Sequence, residues 1–218
     1  MKRLLIALLA VTATLCMVSV SAAFYMHFEE GLGNDLGNIV GIPGVTFVTS
    51  GGLPWIYSDV TTGNYNAYSV NTGQSWGTGE YNMYDKVCAW LGVLGAWGQI
   101  DFDDQNGTWF QTGVSSATDF WLEAYDASDN MIDVATTGAC TQWEGYTDMA
   151  WLRVDAPGGT NISYVKLSDS GNFWEVDNMS GDMEGGHRCI PEPSTLLLLG
   201  SGLLGLAGYS RARYGRKK

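Results

Sequence analysis

Basic residues are nearly missing from most of this chain. Residues 24–190 hold four, Lys86, Arg153, Lys166 and Arg188, against 22 acids, so this stretch stands at −18 while the whole chain stands at −12. A surface of that sign repels phosphate backbones, which excludes nucleic acid as a partner. It suits soluble life outside the cell and offers many oxygens to hard cations. Histidine is as scarce: only His27 and His187 occur, and neither HExxH nor GxSxG is present. The four cysteines form no CxxC, so metal-ligand spacing is absent. With no patterned catalytic set, the chain reads as non-enzymatic. The many acids leave one catalytic alternative, a polysaccharide-active hydrolase using a carboxylate pair.

Sustained helical periodicity is also lacking between residues 24 and 190, and short aromatic and β-branched runs take its place. Examples are GVTFVT, PWIYSDV, KVCAWLGVL, GQIDFD, TWFQT, DFWLEAYD, MIDVAT, AWLRVDA, ISYVKLSD and FWEVDNMS. In DFWLEAYD, Phe120, Leu122 and Ala124 point one way, and Trp121, Glu123 and Tyr125 the other. In ISYVKLS, Val165 and Leu167 oppose Tyr164, Lys166 and Ser168. Asn106-Gly107 reads as a hairpin turn, with further turns at Ser128-Asp129-Asn130 and Pro157-Gly158-Gly159. The Gly-, Asn- and Tyr-rich stretch 63–84 reads as long loops with a short strand. The expected fold is all-β, a two-sheet antiparallel β-sandwich of jelly-roll type over residues 24–188.

The two ends read differently. Lys2 and Arg3 precede an apolar run from Leu4 to Val20 that closes on Ser21-Ala22-Ala23, the layout of a helical secretory signal peptide over residues 1–23. In an exported chain Cys88, Cys140 and Cys189 remain, an odd number. Cys140–Cys189 and Cys88–Cys140 are both open as disulfides, and Cys88 also fits a core position. At the other end Pro191-Glu192-Pro193-Ser194-Thr195 leads into an apolar segment, 195–209, and a basic tail, 210–218. As a helix, 195–209 would span roughly 22 Å, short of the ~30 Å hydrocarbon core. The bases behind it would hold the tail on the cytoplasmic side.

This order of parts over residues 191–218 resembles the PEP-CTERM sorting signal. The resemblance implies an exosortase partner, passage through a membrane-anchored stage by a C-terminal transmembrane helix, and a destination at the cell surface or in extracellular polysaccharide. FEEG at 28–31, IPGVTF at 42–47, CAWLG at 88–92, LEAYDASDN at 122–130 and VDNMS at 176–180 resemble jelly rolls of the carbohydrate-binding-module type. That likeness implies a structural calcium near Phe28-Glu29 and Asp177-Asn178, with Glu29, Asp177 and Asn178 as its ligands. It also implies a non-catalytic, polysaccharide-binding or structural role. Aromatics close to loops, Trp76, Tyr81, Tyr84, Trp97, Trp109 and Trp143, are candidates for stacking on sugars, against the alternative that they fill the core.

Overall fold

The computed structural model describes residues 22–39, 42, 44–52, 54–61, 66–91, 97–103, 106–171 and 173–183. Residues 1–21 of the expected signal peptide (1–23) and everything beyond 183 lie outside the described residues, and with them the expected C-terminal helix, the Pro191–Thr195 motif and Cys189; Ala22 and Ala23, expected to end the signal helix, instead begin the first strand.

Alternation along the sequence is realised as strands. The described strands are β1 (Ala22–Met26), β2 (Val45–Thr49), β3 (Ile56–Asp59), β4 (Ala67–Ser69), β5 (Gln74–Ser75), β6 (Tyr81–Met83), β7 (Val87–Trp90), β8 (Trp97–Phe102), β9 (Gly107–Ser116), β10 (Phe120–Tyr125), β11 (Met131–Thr137), β12 (Ala150–Asp155), β13 (Tyr164–Asp169) and β14 (Trp174–Met183). A six-stranded sheet runs β12-β9-β14-β7-β3, with β1 also pairing with β14. A five-stranded sheet runs β11-β10-β13-β8-β2. Their inner faces carry the residues that alternation assigned to the core: Phe120, Leu122, Ala124, Val165 and Leu167 are all buried.

Large rings bind the two layers together. Trp174 meets Trp55 and Phe120 edge-on, with centroids 5.7 and 5.1 Å away, and Phe24, Phe102 and Phe110 form a second group. Each such side chain taken fully from water contributes about 1.5–3 kcal/mol. Trp55 seats directly over Gly98 of β8, where an added Cβ would come within 2.2 Å of the indole.

Three expectations are corrected. Residues 63–84 are more than loops: β4, β5 and β6 make a third, three-stranded sheet containing a parallel β4–β6 pair. Strands of two or three residues are too short to show alternation. Asn106-Gly107 does not close a hairpin. It carries the chain from β8 in the five-stranded sheet to β9 in the six-stranded one, and Gly107 pairs instead with Ile162. Cys88 and Cys140 do not bond to each other; both are buried free thiols. Cys140 belongs to the main core, and Cys88 to a smaller cluster with Val60, Ala67 and Met83 beneath the third sheet.

Candidate functional site

The outer face of the five-stranded sheet is built by three strands in register. Trp121 lies opposite Ser168, which lies opposite Trp97. In the next row Glu123, Lys166 and Gln99 stand side by side, and in the third Tyr125, Tyr164 and Asp101. All of these side chains are half-buried. Hydrophobic partners at 120, 122, 124, 165 and 167 anchor the strands from below, so the outward residues are fixed without being covered.

Lys166 occupies the centre of this face. Its ammonium lies 4.9 Å from the Trp97 ring, 5.1 Å from Tyr125 and 5.6 Å from Tyr164. Glu123 is its direct cross-strand neighbour, yet Glu123 accepts the Tyr125 hydroxyl at 2.9 Å instead. Among the described residues the one salt bridge is Arg153–Asp155. Lys166 therefore presents a donor cradled by rings rather than neutralised by a carboxylate. Each such contact is worth about 0.5–1 kcal/mol at exposed sites and about 2 when desolvated.

The two tyrosines stack in parallel, with centroids 4.8 Å apart and an interplanar angle of 9°. Burial, then the bond to Glu123, pushes the Tyr125 phenol up to about 12; burial, then the bond to Asp129, does the same for Tyr164. Both remain protonated donors at neutral pH. The Gln99 amide is oriented by donating a hydrogen bond to Asp101 Oδ1 at 2.6 Å, and the Tyr164 hydroxyl by donating to Asp129 at 3.0 Å. The face thus combines rings, one ammonium, two carboxylates and an amide, and its polar groups are each held by a neighbour.

The residues expected to contact ligand are dispersed. Trp97 falls on this face. Trp76 packs against the small cluster beneath the third sheet, and Tyr81 sits half-buried in β6. Trp143 is 64% exposed on a 3-10 helix, Gln142–Glu144, capped by Thr141. Tyr84 and Trp109 come to the outer face of the six-stranded sheet instead, together with Trp151. Trp121, Tyr125, Tyr164 and Lys166 were not among the candidates, although alternation had already turned them away from the core.

The expected calcium ligands have other bonds. Glu29 Oε1 accepts the backbone N–H groups of Lys86 and Val87 at 2.9 and 2.8 Å. Asp177 is buried and accepts from the N–H groups of Tyr84 and Asn178, and the Asn178 side-chain oxygen accepts from the Tyr25 hydroxyl. Burial first, then the charges of Glu29 and Asp85, raise the Asp177 pKa well above its ordinary value. Among the described residues no group of three or more His, Cys, Asp or Glu converges as a metal cradle. As placed, these oxygens anchor backbone and fit a cation poorly.

No curated protein matches this chain. Among solved structures it is similar to a family 29 carbohydrate-binding module from Piromyces equi, at 4% identity and TM-score 0.38, covering 75% of this chain and 91% of that one. A DUF4465 family protein from Bacteroides caccae is 13% identical at TM-score 0.41, covering 74% and 99%. A family 22 carbohydrate-binding module from Clostridium thermocellum is 16% identical at TM-score 0.37, covering 78% and 98%. Residues 190–212 match the PEP-CTERM protein-sorting motif, and the chain carries that motif.

Proposed function

We propose that this domain is a non-catalytic polysaccharide-binding module that works through the outer face of the five-stranded sheet. One observation carries the reading: the Lys166 ammonium set among Trp97, Tyr125 and Tyr164, with no carboxylate partner among the described residues. A sugar offers C–H-rich ring faces to aromatics and hydroxyls to donors and acceptors. This face supplies both on a rigid sheet, with each polar group already oriented. Glu123 and Asp101 outnumber Lys166 on it, so a neutral glycan is favoured over an anionic one. The sorting motif supplies the setting: export, processing by an exosortase after a stage anchored by residues 195–209, and a place at the cell surface or in extracellular polysaccharide.

Affinity electrophoresis of the mature protein in gels containing soluble neutral polysaccharides tests this. Retardation is expected, with no release of reducing ends. Lys166→Ala and Trp121→Ala are each expected to weaken it about tenfold, a loss of about 1.4 kcal/mol. Retardation unchanged in both variants would refute the assignment of the face. Steady release of reducing ends would replace the binding module with the hydrolase reading.

A further inference from the structure

The six-stranded sheet has an outer face of its own, and only part of it is covered. Its β3–β7 side lies beneath the third sheet, where Cys88, Met83, Ala67 and Val60 pack together. Beyond that cover, register aligns Arg153, Gln111, Ser180 and Tyr25 in one row across β12, β9, β14 and β1. Trp109 stands in the row on one side and Trp151 in the row on the other, four residues apart along the strands, or about 13 Å. Trp151 is 44% exposed and pairs with Tyr84 at 6.0 Å, while the Arg153 guanidinium lies 4.4 Å above the Trp109 ring. Asp155 holds Arg153 by two bonds at 3.0 Å and one at 2.6 Å. At the Tyr25 end the row opens into a cavity of about 440 Å³ that His27, Glu30, Asn34 and Tyr57 help to line.

We propose that this is a second glycan-binding face, so that one domain holds two polysaccharide chains on opposite sides and cross-links them. The inference rests on the reading of the five-stranded face given above. The occupant follows from the chemistry. Between the rings lie Gln111, Ser180 and Asn178, polar side chains that can exchange hydrogen bonds with sugar hydroxyls. Arg153 is neutralised by Asp155, and Asp148 and Asp182 add negative charge, which disfavours an anionic polymer. A neutral polysaccharide meets both conditions, its rings stacking on Trp151 and Tyr25 and one unit entering the cavity. The two faces are the outer surfaces of two stacked sheets, so one chain cannot cover both without wrapping an edge.

The test compares four forms of the mature protein on the same soluble neutral polysaccharide: wild type, Trp121→Ala with Lys166→Ala, Trp151→Ala with Arg153→Gln, and all four changes together. Binding is read by gel retardation and bridging by light scattering, with circular dichroism confirming that each form is folded. Wild type is expected to bridge chains. Each single-face form is expected to bind without bridging and to lose avidity on immobilised polymer by about 100-fold or more. The combined form is expected to do neither. Undiminished bridging by the Trp151→Ala, Arg153→Gln form would overturn the second face. A wild type that binds without bridging, and loses all binding with Trp121 and Lys166, would overturn it while leaving the first face intact. Binding lost with Trp151 and Arg153 alone would overturn the reading of the first face and, with it, cross-linking.

Discussion

Glu175 tests how the third sheet is attached. It lies on β14, 7% exposed, and Oε2 has no hydrogen-bond partner among the described residues. Burial pushes its pKa from 4.5 to about 7, with the charge of Glu80 adding to the rise and the Cys88 thiol opposing it. The folded pKa is raised, so the folded state holds its proton more tightly than the unfolded chain does. Stabilisation from the protonated form is fully present below the unfolded value of 4.5 and is lost as pH rises through about 7. At 1.36 kcal/mol per pKa unit the loss amounts to about 3 kcal/mol, a large share of the ~5–15 kcal/mol that holds a domain folded. Glu175→Gln keeps the shape and removes the titration. Urea unfolding of both proteins, followed by tryptophan fluorescence from pH 4 to pH 8, gives a difference curve that cancels the remaining acids. The variant should gain on wild type as pH rises, by about 3 kcal/mol or some 6–12 °C in Tm at pH 8, less the cost of an unpaired amide. A flat difference between pH 4 and pH 8 would refute a buried, poorly partnered carboxyl at this position.

Two further outcomes follow from the packing and the carboxylate bonds. Gly98→Ala places a Cβ within 2.2 Å of Trp55 and 2.9 Å of Leu91, and should cost about 1–3 kcal/mol or more by the same urea assay. Glu29 and Asp177 are engaged by backbone N–H groups, so the melting temperature is expected to be equal in calcium and in EDTA; a calcium-dependent rise would restore the metal site.

Alternation reports which residues share a face, and for the main sheets that was enough. Trp121, Glu123 and Tyr125 were legible as one outward set, and Tyr164, Lys166 and Ser168 as another. What makes them one site is the pairing of Glu123 with Lys166, 43 residues away, and of Lys166 with Gln99, 67 residues away. No local pattern encodes such a partner. Loop proximity therefore served as the guide to ligand aromatics, and it selected Trp76 and Tyr81, which the third sheet draws inward. Asn106-Gly107 misled for a related reason: a tight turn fixes a local bend and leaves open whether the next strand returns to the same sheet.

The third sheet also explains an inversion on the outer face of the six-stranded sheet. Where that face is covered it carries acids and hydroxyls, Glu175, Asp177, Ser115 and Ser58; where it is bare it carries Trp109, Trp151 and Tyr25. Burial alone would favour the reverse. The covering segment docks through backbone donors, Asn82 N–H to Ser115 Oγ and Tyr84 N–H to Asp177 Oδ2, both at 2.9 Å, and such donors need acceptors beneath them. Polar side chains under the cover are thus accounted for by folding. The rings outside it are not: Trp151 is held by Tyr84 and Trp109 by Arg153, and neither belongs to the main core. Trp151 and Tyr25, 44% and 59% exposed, are thus the rings on which the proposed second face rests.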